Sequence, residues 1–128
     1  GSWLVMPHGS IKSYRDLRVW QLAMDLAVDV YSVSRGFPNS ETFGLSSQMR
    51  RSAVSIAANI AEGFGRETSG AFAQFLRMAQ GSLKELETHI LIGSRVALIS
   101  ESDSLKLLEC AGDIGKMLGS LIRKVAAS

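Results

Sequence analysis

The sequence predicts an all-α, up-down-up-down four-helix bundle. Two observations carry this. Apolar residues recur at spacings of three and four through four long segments, and no period-two strand pattern appears. The segments are joined by short connections rich in Gly, Pro, Ser and Asn. A third observation points to the centre of the fold. Ser52–Ala61 carries no charge, and seven of its ten residues are Ala, Val or Ile, as expected of a helix that others surround.

The elements follow in order. Residues 1–10, GSWLVMPHGS, read as an expression-vector remnant, expected to be disordered, which leaves 11–128 as one domain. Ser13 is a candidate N-cap with Asp16 in capping-box spacing, and a helix is expected over about Arg15–Arg35. Its two apolar stripes are Leu17, Trp20, Met24, Ala27, Tyr31 and Val19, Leu22, Leu26, Val30, Val33. Together they span roughly 240°, against the ~100° that a core-facing helix requires. That surplus predicts a second contact, with another copy of the chain. Gly36-Phe37-Pro38 ends this helix.

Ser46 is the expected N-cap of the second helix, which Gly63 and Gly65 end. Leu45, Met49, Ala53, Ile56, Ile60 and Phe64 fall on its core face. Gln48, Arg51, Ser55, Asn59 and Glu62 form a polar row on its flank, and Ser47, Val54, Ala58 and Ala61 a small-residue back. A third helix is expected over about Gly70–Ile99, capped by Thr68 or Ser69. Its core stripe is Phe72, Phe75, Leu76, Ala79, Leu83, Leu86, Ile90 and Ala97. A fourth helix, capped by Ser102 or Asp103, runs to about Ala126. Leu107, Leu108, Ala111, Ile114, Leu118, Leu121, Ile122 and Val125 face inward, and Gly112, Gly115 and Gly119 line up beside them.

Composition excludes several classes. The chain has 128 residues, 46% hydrophobic and 20% charged, within the range of ordinary folded domains. No apolar run approaches the ~20 residues of a membrane span. The single cysteine, Cys110, cannot form an internal disulfide and fits a reducing, cytoplasmic setting as a buried, inert thiol. Net charge is +2. Gly44–Arg66 holds three Lys/Arg against one Asp/Glu, so the excess sits on the second helix and its exit loop.

No catalytic constellation is present, and an enzyme is not expected. Only His8 and His89 exist, so the paired Glu-x-x-His ligands of carboxylate-bridged metal bundles are missing. Glu85 and His89 share a face without a second pair, and no metal or other cofactor is expected. Gly63-Phe64-Gly65 has no preceding strand and no following lysine, unlike a phosphate loop. Two groupings remain. Gln48, Asn59, Glu62, Ser82 and Glu85 form a candidate polar network that fixes helix register. Arg50, Arg51, Arg66, Arg77, Lys84 and Arg95 are candidate phosphate contacts, with Arg77, Lys84 and Arg95 on one helical face.

Several blocks resemble one bacterial family. They are Asp16-Leu17-Arg18-Val19-Trp20, Phe37-Pro38, Gln48-x-Arg50-Arg51-Ser52-Ala53, Asn59-Ile60-Ala61-Glu62-Gly63 and Phe75-Leu76-x-x-Ala79-x-Gly81-Ser82-Leu83-x-Glu85-x-Glu87. The family is the four-helix-bundle proteins encoded in intervening sequences of 23S ribosomal RNA genes. The accessory variability determinants of diversity-generating retroelements are similar. The resemblance implies a cytosolic bundle assembling into a ring-like homopentamer, and it implies no known enzyme activity. For the retroelement relatives it implies nucleic-acid binding through a basic surface. The function expected is therefore weak, non-sequence-specific binding of RNA or DNA by an oligomer; the alternative is a protein-binding scaffold that takes no nucleic acid.

Overall fold

The computed structural model describes residues 5–6, 9–41 and 44–128. Four helices build the fold: α1 (Arg18–Ser34), α2 (Leu45–Phe64), α3 (Ser69–Arg95) and α4 (Glu101–Ala126). Each packs on the next in sequence and α4 closes against α1, with α2 on α3 the most extensive pairing. The α1/α2 edge and the α3/α4 edge therefore lie on opposite sides of the bundle. The reading of residues 1–10 as a disordered remnant falls in large part outside the described residues. Within that leader, Val5–Met6 and Gly9–Ser10 pair as a two-residue antiparallel ladder, β1 with β2.

Helix starts differ from expectation in instructive ways. Ser13 and Asp16 do form a capping box. Ser13 Oγ accepts the Arg15 N–H at 3.2 Å, and Asp16 Oδ2 accepts the Ser13 N–H at 3.0 Å. What they cap is a single 3-10 turn, Tyr14–Asp16, after which Leu17 is extended and α1 begins at Arg18. Ser46 does not cap α2; it is buried inside the first turn. Gly44 holds the cap position, and Glu41 supplies the acceptor, Oε1 to the Leu45 N–H at 3.3 Å. Thr68 Oγ1 caps α3 through the Ala71 N–H at 3.1 Å. Ser100, rather than Ser102 or Asp103, caps α4 through the Asp103 N–H at 3.1 Å. Asp103 instead lies in the first turn, where a carboxylate suits the helix dipole.

Helix α3 stops at Arg95, short of the expected Ile99. Ala97 takes a left-handed conformation, φ 61°, and the Leu98 N–H reaches back to the Gly93 carbonyl at 2.9 Å. This is a Schellman ending, normally held by glycine. It puts Ala97 in solvent, not in the core stripe, and folds Ile99 back over buried Gly93.

The core is one cluster running the length of the bundle. Fully buried are Ala23, Leu26 and Val30 from α1, and Met49, Ala53, Ile56 and Ile60 from α2. They meet Leu76, Ala79, Leu86 and Ile90 of α3, and Ala111, Ile114, Leu118 and Val125 of α4. Each large aliphatic side chain contributes about 1.5–3 kcal/mol through burial. The second α1 stripe enters this core with Leu17 and Ala27 of the first, and Trp20 packs against it. Met24 and Tyr31 of the first stripe are exposed and line the groove over α2.

Gly63 does not end α2; it lies inside the helix, buried, in close contact with α3. A Cβ there would stand 2.6 Å from Phe75 Cβ and 3.3 Å from the Phe72 carbonyl oxygen. Gly65 is the cap that follows. The α4 glycines are different: a Cβ at Gly112 meets nothing within 4 Å, and at Gly115 only Leu83 Cδ2 at 3.4 Å. Close helix approach inside the chain therefore does not account for them.

The same substitution should have opposite signs at two glycines. Gly63→Ala forces α2 and α3 apart, an overpacking cost of about 1–3 kcal/mol. Gly81→Ala, with nothing within 4 Å of the new methyl, gains about 0.5–1 kcal/mol of helix propensity. Chemical denaturation of the two variants against the parent reads both changes.

Candidate nucleic-acid interface

The six candidate basic residues do not form one surface on a single chain. Arg50 and Arg51 come from the first turns of α2 and line a cleft at the C-terminal end of α1, together with Arg35. Arg77 and Lys84 come from α3 and line a second cleft, of about 610 Å³, between α3 and α4 on the opposite side. Arg66 stands apart at the end of α2, engaged twice. It bonds Glu62 Oε1 at 2.9 Å, and its guanidinium lies 4.6 Å from the Phe75 ring centroid. Arg95 ends α3, exposed, and lines neither cleft.

The α3/α4 cleft is floored by Gly81, Gly112 and Gly115 and walled by Arg77, Gln80, Lys84 and Lys116. Among the described residues, no carboxylate lines it. Lys84 also reaches Glu87 Oε1 at 2.9 Å, but its side chain is 75% exposed, so the pair is worth little in water. Lys116 was not among the sequence candidates. The signal lay in the spacing: it sits one turn beyond Gly112, on the glycine row. Helical register carries the same face upward to Leu91, two turns beyond Lys84, and to Leu105, two turns before Gly112. Both are exposed, at 50% and 61%.

The polar network assembles around a residue the sequence reading placed in the row but not in the network. Ser55 Oγ and Ser82 Oγ are 2.8 Å apart across the α2–α3 contact. Asn59 Nδ2 donates to the Ser55 carbonyl at 2.9 Å and to Ser55 Oγ at 3.0 Å. Gln48, Glu62 and Glu85 lie outside it. Glu62 turns to Arg66, Glu85 to His89 Nε2 at 3.4 Å, and Gln48 is exposed. Their longer side chains reach solvent, where a charge is hydrated, while the short serines stay in the helix contact.

The acidic side of the molecule is the α1/α4 edge. Cys110 is half-buried there, and burial raises its thiol pKa, with Asp29, Asp113, Asp25 and Glu109 adding to the effect. The folded state thus favours the neutral thiol. That contribution to stability is present below the thiol's unfolded pKa and is lost as pH rises through the raised folded one. Among the described residues, no group of three or more His, Cys, Asp or Glu side chains is placed to hold a metal ion. None of the described helices is long and apolar enough to cross a membrane.

The α1/α2 edge is apolar. Trp20, Met24, Val28, Tyr31, Val54, Ala57, Ala58 and Ala61 line a groove of about 490 Å³ along it. Val28 is 61% exposed. The wide arc of α1 and the small-residue back of α2, read from sequence as two separate faces, meet here as one.

The model of the 23S rRNA-intervening sequence proteins matches residues 15–120. The chain belongs to this family. A solved structure from Bacteroides thetaiotaomicron VPI-5482, described as a protein with unknown function from the S23 ribosomal protein family, has the same fold. The TM-score is 0.76 at 25% sequence identity, over 81% of this chain and 97% of that chain. No curated protein matches the chain. The match confirms the family resemblance read from the motifs. Within this intervening-sequence protein, the Gln48–Gly63 motif block supplies the Arg50–Arg51 pair, the buried α2 core and the Gly63 contact.

Asn59→Leu tests the network. It removes both bonds to Ser55 and leaves the serine pair facing an apolar side chain, at about 1–3 kcal/mol. Thermal unfolding should shift down by several degrees, and by less when Ser55→Ala is already present.

Proposed function

We propose that the protein is a non-catalytic, oligomeric accessory protein that binds nucleic acid weakly and without sequence specificity. The observation that supports this best is the α3/α4 cleft, with basic walls, a glycine floor open to close approach, and no lining carboxylate. The charge is partitioned as such a role requires. Lys and Arg groups line both clefts, and acids gather on the α1/α4 edge.

One chain offers few phosphate contacts. Among the described residues, exposed apolar side chains include Met24, Val28 and Val54 on the α1/α2 edge and Leu91 and Leu105 on the opposite α3/α4 edge, beside Met78, Ile92 and Val96 elsewhere on and after α3. An isologous dimer through one edge leaves the other uncovered. A heterologous contact of edge on edge covers both, and it closes into a ring when the rotation permits. The family resemblance implies five copies. A ring repeats each cleft by symmetry, and contacts along one strand then add. The same apolar edges favour the second reading, a protein-binding scaffold without nucleic acid.

Filter binding with labelled single- and double-stranded RNA and DNA at low salt separates the two. Binding should weaken steeply with salt, with a slope set by the phosphates neutralised. Arg77→Glu with Lys84→Glu should lower affinity by at least about tenfold, from two lost ionic contacts turned repulsive. Absence of binding at low salt, or binding untouched by this double substitution, returns the protein-scaffold reading.

A further inference from the structure

We propose that Arg35, Arg50 and Arg51 form a site for a terminal phosphate monoester, the 5′-phosphate of a nucleotide or of a nucleic-acid strand. The site is the cleft at the C-terminal end of α1, about 810 Å³, within the size range of small-ligand pockets. Among the described residues, three guanidiniums line it and no carboxylate does. None of the three makes an ion pair among the described residues. Glu41, on the same connection, spends Oε1 on the Leu45 amide.

Arg50 is held ready. The Ser34 hydroxyl, itself buried, donates to the Val30 carbonyl at 2.7 Å and accepts from Arg50 Nε at 2.8 Å. The guanidinium carbon lies over the Tyr31 ring, 4.6 Å from its centroid. One edge and one face are thereby fixed, while both Nη groups stay unbonded within the described structure. A side chain immobilised before binding loses little entropy on binding. Its remaining donors suit the paired oxygens of a phosphate.

The charge density selects the ligand. Three positive groups on one cleft match the concentrated charge of a phosphomonoester, about −1.5 to −2 at neutral pH. Internal phosphodiesters present single charges along a track, which suits the α3/α4 cleft and its Arg77, Lys84 and Lys116 instead. Phe37, which lines the cleft, gives a base an aromatic surface for stacking beside the Arg50–Tyr31 stack. The site shares Arg50 and Arg51 with the polyanion reading above, and rests on that reading only where the ligand is a strand.

Isothermal titration of the full chain with AMP, inorganic phosphate and adenosine at low salt tests the site directly. AMP should bind once per chain, adenosine should not, and Arg51→Gln should weaken AMP by about tenfold, the worth of one charged bidentate contact. Arg50→Gln should do the same; because Arg50 also packs on Tyr31, exposed Arg51 carries the test if that variant fails to fold. Arg77→Gln should leave AMP binding unchanged. Phosphate binding as tightly as AMP keeps the phosphoryl site and removes the stacking contribution. A short oligoribonucleotide with a 5′-phosphate, compared with its 5′-hydroxyl twin, separates the two sources: a preference lost in Arg51→Gln assigns strand ends, and no preference alongside AMP binding assigns the mononucleotide. Neither AMP nor phosphate binding at millimolar concentration, or binding indifferent to Arg51→Gln, overturns the proposal. That result leaves the general polyanion reading standing, since its own test uses Arg77 and Lys84.

Discussion

The bundle depends on how closely α2 approaches α3. Gly63 lets the α2 backbone come against Phe72 and Phe75 at one end of the pair. At the other end Gly93 takes the Ile99 side chain, and a Cβ there would also stand 3.2 Å from Leu45 Cδ2. Between them the Ser55–Ser82 hydroxyl contact, supported by Asn59, is short enough to survive in a helix interface. Small residues at all three levels set the spacing. The large side chains of Ile56, Ile60, Leu76 and Leu83 then point sideways into the core rather than between the two helices. With α2 and α3 fixed as a pair, α1 and α4 close the bundle on either side.

That arrangement divides the surface into edges of different chemistry. The α1/α2 edge is apolar and ends in three arginines. The α3/α4 edge is basic over a glycine floor and ends in exposed leucines. The α1/α4 edge gathers the acids around Cys110. A net charge of +2 conceals this, because the excess is local. It is the partition that gives a near-neutral chain two clefts without a lining carboxylate.

Much of the fold was legible in the sequence, because the 3.6-residue period reports which face of a helix is apolar. The number of helices and most core residues follow from it. Capping was less legible. The run Ser100-Glu101-Ser102-Asp103-Ser104 offers several equivalent N-caps, and packing of Ile99 on Gly93 decides among them. The end of α3 was hidden because alanine, not glycine, takes the left-handed position. A helical wheel gives direction but not depth, so Glu62 and Glu85 read as network members and Ser55 only as part of the row. Only the distance between α2 and α3 separates them, since it admits a hydroxyl and excludes a hydrated carboxylate. Arg35 was invisible for a related reason: it joins its cleft from a neighbouring helix, and one helix's periodicity carries no information about another's; for Lys116 the glycine row was the available signal, but it did not say which helix faces it.

The head-to-tail assembly proposed from the apolar residues exposed on opposite edges is tested most directly by its mass. Sedimentation equilibrium of the parent chain at micromolar concentration should give one species at a whole multiple of 13.8 kDa, five by the family resemblance. Val28→Glu with Ala58→Glu places two charges in the α1/α2 groove and should return the monomer, with helical content unchanged by circular dichroism. A parent chain that sediments as a stable monomer would contradict the assembly and the multivalent binding built on it.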